Sequence, residues 1–192
     1  VNLRAGLAEV VFYVAEALIV GALVHFVLIL AIPLVAEHDA YHRLAQIGLS
    51  DATIALPQAA PQERSAPYAD PAVASALCSF DLTNGPIRVR APLGRAGFAS
   101  LSFHSRRGAV FYAMTDRVAT HGMMEAVIAT PKQLRVLISQ DDEDNPSQDL
   151  RIASPTPQGF VFARIFSELP SLYPEAEAQA KTLSCAPEPS AK

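Results

Sequence analysis

The sequence predicts one N-terminal transmembrane helix followed by a small β-rich, α+β domain built on an antiparallel sheet. Three observations carry this prediction. Residues 17–36 read ALIVGALVHFVLILAIPLVA, a run without Asp, Glu, Lys or Arg. At 1.5 Å per helical residue it covers the roughly 30 Å hydrocarbon layer of a bilayer. From Val73 onward, short apolar segments alternate with Asn, Gly, Pro and Ser turn signals, which is how antiparallel strands read. Between these parts lies a proline-bearing stretch with no sustained period, so the two are separate bodies joined by a linker.

Length bounds the organisation. The chain has 192 residues, 51% hydrophobic, with a mean hydropathy of +0.22, which leaves room for one membrane helix and a soluble core of roughly 120 residues. The reading assigns residues 1–36 to an N-terminal flank and the transmembrane helix, and 37–71 to a juxtamembrane helix and Pro-rich linker. Residues 72–186 are the β-rich domain and 187–192 a loose tail. A net charge of −4 and a pI near 5.7 argue against nucleic acid as a partner, because phosphate binding draws on clustered Lys and Arg. The basic pairs Arg88/Arg90 and Arg106/Arg107 lie in strand and turn sequence, where solvated faces are the ordinary reading.

A cleavable secretory signal needs a shorter apolar core and a small-residue cleavage site. This run is long and ends Ile32-Pro33-Leu34-Val35-Ala36, which favours a retained anchor in the lipid bilayer. Arg4 precedes it, and the positive-inside rule then places the C-terminal domain in the periplasm or an equivalent space. Glu16 and His25 are the polar intramembrane groups, and such groups inside a bilayer seek partners. Ala17, Gly21 and Ala22 are small enough to let another helix approach closely. With His25 they form the expected contact to other transmembrane helices of a membrane complex. Pro33 ends or kinks the span.

Residues 37–48 put Ala40, Leu44 and Ile47 at helical spacing and finish in Gly48, as a short helix does. Four prolines from Pro57 to Pro71 mark the linker. Leu77–Leu82 is the first predicted strand, and Asn84-Gly85 predicts a hairpin to Ile87–Ala91, because both residues tolerate positive φ. Phe98–His104 and Ala109–Met114 flank a second hairpin at 105–108. A strand follows near Ala126–Thr130; Leu134–Ile138 reads as helix or strand. The acidic stretch 141–149 lacks the glycine and spacing of a calcium loop, so a solvated loop is expected. Leu150–Ser154 and Gly159–Phe166 read as a final strand pair, and Pro174–Leu183 as a helix with proline in its first turn.

No catalytic residues and no metal site are assigned. There is no G-x-S-x-G, H-E-x-x-H, phosphate-binding glycine loop or dinucleotide fingerprint. A hydrolase would need His104 or His121 to converge with Ser105 and Asp116, and nothing in their spacing requires it. The domain aromatics recur at strand spacing, so core filling is the default and an apolar-ligand pocket the alternative. Cys78 and Cys185 are the two cysteines. Outside the cytoplasm they are a candidate disulfide closing a loop of about 106 residues, with on the order of 4–5 kcal/mol in the chain-entropy model; inside it they are two free thiols.

Two resemblances add to this. The segments Gly21-x-x-Val24-His25 and Pro33-x-x-Ala36, then Asp70-Pro71-Ala72, CSFDLTNGPIRVRAP at 78–92, and Cys185-Ala186-Pro187 resemble a group of proteobacterial membrane-anchored envelope proteins catalogued as a domain of unknown function. That resemblance implies an inner-membrane anchor and a small β-rich periplasmic domain, supports the disulfide, and brings no catalytic residues. The Gly21-x-x-x-His25 spacing also resembles the pigment-binding pattern of light-harvesting polypeptides, with bacteriochlorophyll ligation by His25 as the alternative to a hydrogen bond; no other cofactor is expected. In outline the chain is similar to the single-helix accessory proteins that interrupt the light-harvesting 1 ring around photosynthetic reaction centres and leave a gap for quinone. The expectation is thus a non-enzymatic accessory subunit docking on a larger inner-membrane complex, most specifically that ring. The alternative is a membrane-tethered periplasmic binding module for a lipid or other apolar ligand.

Overall fold

The computed structural model describes residues 3–35, 41, 44, 53–60, 69–141 and 147–188. The chain divides into two units, Val1–His38 and Asp39–Lys192. The juxtamembrane helix expected at 37–48, much of the linker and the centre of the acidic stretch lie largely outside the described residues.

The first unit is α1 (Leu3–Val35). Its large apolar residues from Leu18 to Ile32 are exposed all around the helix, so it has no single stripe to lay on a soluble core. Within it Glu9–Ile32, 24 residues with a mean hydropathy of 2.5, is long and apolar enough to cross a membrane. A membrane anchor and a signal sequence both have this property.

The second unit is built from two sheets. In the first, β1 (Ile54–Ala55) pairs with β2 (Val73–Asp81), β2 with β8 (Gln158–Phe166), β8 with β4 (Ala99–Ser105), and β4 with β5 (Val110–Thr115), all antiparallel. The second sheet has the order β7 (Arg151–Ala153), β6 (Met123–Ala129), β3 (Ile87–Pro92), β9 (Ser184–Pro187). Here β6 and β7 run parallel. Parallel neighbours need a crossover, and α2 (Pro131–Ser139) supplies it. Thr130 caps this helix in a capping box with Gln133, and Pro131 occupies its first turn, where the missing N–H costs nothing.

Period-two alternation sends one side of each sheet inward. Ala74, Ala76, Cys78 and Phe80 of β2 join Leu101 and Phe103 of β4 and Val161, Ala163 and Ile165 of β8. Facing them are Val89 and Ala91 of β3 with Met124, Ala126 and Ile128 of β6. The third helix, α3 (Tyr173–Ala180), adds Tyr173, Ala176 and Ala180 at helical spacing, the alanines allowing it to lie close. Each fully buried Val, Leu or Phe contributes about 1.5–3 kcal/mol.

Cys78 and Cys185 are joined, with their Cα atoms 6.2 Å apart. Cys185 is in register with Val89, so the bond ties β2 of the first sheet to β9 of the second through the core.

Four readings change. Asn84-Gly85 makes no hairpin: β2 and β3 belong to different sheets, and the chain crosses between them through a 3-10 turn at Leu82–Asn84. Asp81 caps that turn and Gly85, at φ 143°, leaves it. Asn-Gly specifies the backbone bend, not the partner of the next strand. Likewise β7 and β8 do not pair with each other; β7 joins β6, and β8 sits between β2 and β4. The sheets are therefore two rather than one, and the second is mixed. Residues expected in linker and tail also belong to the domain, because β1 adds to the edge of β2 and β9 to the edge of β3. The ambiguous run at 134–138 is helix.

At the second hairpin the expectation meets a bulge. Phe103 faces Tyr112 and His104 faces Val110, leaving Phe111 extra, and both Phe111 and Tyr112 approach Phe103, at 6.3 and 5.9 Å between ring centroids. Gly159 has no room for a side chain: a Cβ there would overlap the His104 carbonyl and the Phe80 ring. Gly159→Ala is expected to cost about 1–3 kcal/mol by overpacking, read as a lower urea midpoint.

Candidate functional site

The helix residues singled out by sequence fall into two groups. Ala17, Gly21 and His25 recur every four residues of α1 and share a stripe, with Ala22 beside it. Glu16 lies nine residues from His25, which at 3.6 residues per turn puts it on the other side of the helix axis. The small residues and His25 therefore share one helix face, and Glu16 lies on the other. The imidazole of His25 lies edge-on to Phe26 at 6.4 Å.

In the domain, a groove of about 470 Å³ opens beside the disulfide. Tyr41, Phe80, Asp81, Ile87, Cys185 and Pro187 are among its walls. The Tyr41 backbone N–H donates to the Arg106 carbonyl at 3.1 Å, which fixes this residue at the hairpin tip. The groove carboxylates are already engaged. Gln158 and Thr83 donate to Asp81 at 2.9 and 2.6 Å, and these bonds, Gln158 first, hold its carboxyl below the usual range. Glu188 accepts from Arg88. What remains is a mixed wall, in which Phe80, Ile87, Pro187 and the disulfide supply apolar surface and Thr53, Ser79, Asn84 and Ser184 supply polar groups, so the groove suits a ligand with an apolar body and a polar edge.

Arg88 organises the outward side of the second sheet. Its guanidinium donates to Glu125 at 2.8 Å, Asp149 at 2.7 Å and Glu188 at 2.5 Å. These come from β6, the segment before β7 and the residue after β9, so one partly buried cation ties three separate pieces of chain to β3. Hydrogen bonds from Arg88 hold the carboxyls of Glu125 and Asp149 below their usual range, and the carboxylates raise the guanidinium further. Arg151 pairs with Asp141 at 2.6 Å in the same region. Arg88, a solvated face by sequence, is instead the centre of this cluster; partners 37, 61 and 100 residues away leave no local signal.

The histidines do not assemble as a hydrolase would need. Ser105 is buried on the inner side of β4, opposite to its neighbour His104. His104 instead meets Ser102, with Oγ 2.9 Å from Nε2, while Nδ1 lies 3.0 Å from the Gly108 carbonyl. The ring stacks on Phe160 at 4.7 Å. His121 stands in the turn before β6 with φ 53°, and Asp116 opens a separate 3-10 turn after β5. Among the described residues no group of three or more His, Cys, Asp or Glu is placed to hold a metal ion.

Comparison with known proteins places the domain. A family model described as "Protein of unknown function (DUF1254)" matches residues 52–187, nearly the whole second unit and well over half of the chain. The chain belongs to that family. No curated protein matches it in sequence. The VPA0106 protein from Vibrio parahaemolyticus has a similar fold, with a TM-score of 0.51 at 11% identity, over 77% of this chain and 33% of that one. An uncharacterised protein from Burkholderia cenocepacia aligns over 68% of this chain and 37% of its own, at 12% identity and a TM-score of 0.41. The chain thus spans about a third of the length of these solved structures.

Proposed function

We propose that this DUF1254-family chain is a single-pass accessory subunit of a bacterial inner-membrane complex, non-enzymatic, with its β domain on the periplasmic side. The observation that carries the reading is α1: 24 residues able to cross a bilayer, apolar on every side and without a partner in their own unit. Such a helix leaves Ala17, Gly21 and His25 available to another helix, where close packing and a polar contact each contribute about 1 kcal/mol in lipid. The Cys78–Cys185 bond supports export, since such bonds persist in oxidising compartments.

The test is purification from native membranes in mild detergent. Integral-membrane subunits are expected with the full chain and are expected to fall about fivefold with Gly21→Leu, from the loss of about 1 kcal/mol of packing. Retention of the same subunits by a chain lacking residues 1–36 would sink the reading. The narrower assignment to the light-harvesting 1 ring rests on the Gly21/His25 pattern alone. Its test is whether pigment-bearing subunits are among those recovered.

The groove beside the disulfide favours a second reading, a tethered binding module for a lipid or other apolar ligand. Mass spectrometry of gently extracted protein is then expected to show a bound apolar molecule. Filling the groove with Ile87→Trp should displace it.

A further inference from the structure

Strand register defines what the outward face of the first sheet presents, because residues directly opposite one another share a side. Ser75, Arg164, Ser100 and Thr115 form one row across β2, β8, β4 and β5. Leu77, Phe162, Ser102 and Ala113 form the next, and Ser79, Phe160 and His104 the third. Leu44, Ile54 and Leu56 pack over Leu77 and Phe160, closing the β2 side of this face. The side over β8 and β4 keeps an exposed arginine among hydroxyls, and these three rows hold no Asp or Glu.

Arg164 differs from Arg88 and Arg151, each of which grips carboxylates. Among the described residues its side chain makes no ion pair or hydrogen bond; it makes one contact, with Cζ 4.4 Å from the centroid of the Phe162 ring. This cation–π contact engages the face of the ring and uses none of the guanidinium N–H donors. Ser75 and Ser100, partly buried, flank Arg164 from the strands on either side. His104 is itself held in place: a carbonyl can only accept, so Nδ1 donates to Gly108, while Nε2 lies 2.9 Å from Ser102 Oγ, which also reaches the Phe162 carbonyl at 3.4 Å. Among the described residues the cation thus meets no carboxylate, and serine hydroxyls stand in the same row on both neighbouring strands.

We propose that this face binds a tetrahedral oxyanion, a phosphate or phosphate-ester group, through the Arg164 fork with the Ser75 and Ser100 hydroxyls. The fork occupies two oxygens, and hydroxyls on either side can donate to the others. A planar carboxylate has only two oxygens to offer. The ligand's source is either free phosphate or a phospholipid headgroup.

The probe is inorganic phosphate titrated into the full chain in a maltoside micelle at constant ionic strength, followed by the backbone N–H resonances of Ser75, Ser100 and position 164, which the unaltered chain and the variants all carry. A saturable shift is expected, with affinity about tenfold weaker for Arg164→Gln and a few-fold weaker for Ser100→Ala, from the loss of charge-assisted and neutral bonds respectively. Arg107→Gln, an exposed arginine at the hairpin tip, should bind as the unaltered chain does. Acetate should bind more weakly than phosphate. Nanodiscs containing phosphatidylglycerol separate the sources: if they block the phosphate shift, the headgroup is the ligand; if they do not, free phosphate is. A shift that never saturates, equal affinity for Arg164→Gln and the unaltered chain, a loss for Arg107→Gln as large as that for Arg164→Gln, or acetate binding as tightly as phosphate would each overturn the proposal. Should Arg164→Gln fail to fold, Ser100→Ala against Arg107→Gln decides it.

Discussion

Replacing Cys78 and Cys185 together by alanine is expected to lower the unfolding free energy by about 4–5 kcal/mol, the largest effect of any change considered. The bond closes a loop with a sequence separation of 107 residues, and the chain-entropy model assigns a loop of about that size roughly 4.7 kcal/mol through the unfolded state. It also joins the two sheets. β9 is four residues long and has one neighbour, β3, so without the covalent tie its attachment rests on that ladder and on Glu188. The expected result in guanidinium is a lower midpoint for the double variant. Adding reductant should bring the unaltered chain to the same value. A midpoint unchanged by reduction would show that the second sheet holds β9 unaided.

Arg88→Met is expected to cost about 2–3 kcal/mol, less than the roughly 3–5 kcal/mol of breaking a fully buried pair, because two of its partners remain a third exposed. Arg88 is 13% exposed and its loss strands Glu125, Asp149 and Glu188 near one another. The acid limb of stability follows from the same contacts. Glu125 and Asp149 have carboxyls lowered from ordinary values of 4.5 and 3.8. Groups depressed on folding stabilise the native state fully above their unfolded values, so the whole contribution is present above about pH 5. As pH falls through 4.5 and 3.8 the unfolded chain takes up protons first, and stability declines until the folded carboxyls protonate too. Urea midpoints between pH 3 and 7 should therefore drop steeply at the acid end for the unaltered chain and more gently for Arg88→Met.

What the sequence discloses is whatever a local signal can carry. The membrane-length helix is a matter of uninterrupted apolarity, and residues 17–36 show it without context. The hairpin at 105–108 is marked by its own glycine, and β4 and β5 do pair across it. The helix at 131–139 carries its cap in Thr130 and Gln133, a signal present in the sequence and passed over beside the apolar run at 134–138. Strand partnership is another matter. Asn84-Gly85 bends the chain where expected, yet whether β3 returns to β2 or crosses to a second sheet depends on which apolar faces meet, and a turn does not record that. β7 is three residues long, and only the presence of α2 before it allows parallel pairing with β6. The site features were least legible of all. Arg88 and Arg164 look alike in sequence, one charged residue on an alternating strand, and differ because distant carboxylates reach the first while none among the described residues meets the second.

The proposed role requires the chain to cross the inner membrane once and to hold the disulfide-tied domain outside the cytoplasm. Protease added to intact spheroplasts expressing the full chain, with the membranes then washed in alkaline carbonate, tests that most directly. The expected result is a carbonate-resistant chain whose domain is cut only from outside, releasing a fragment in which Cys78 and Cys185 remain bonded. A domain protected until the cells are lysed, or a carbonate-soluble product already shortened before protease is added, would contradict it.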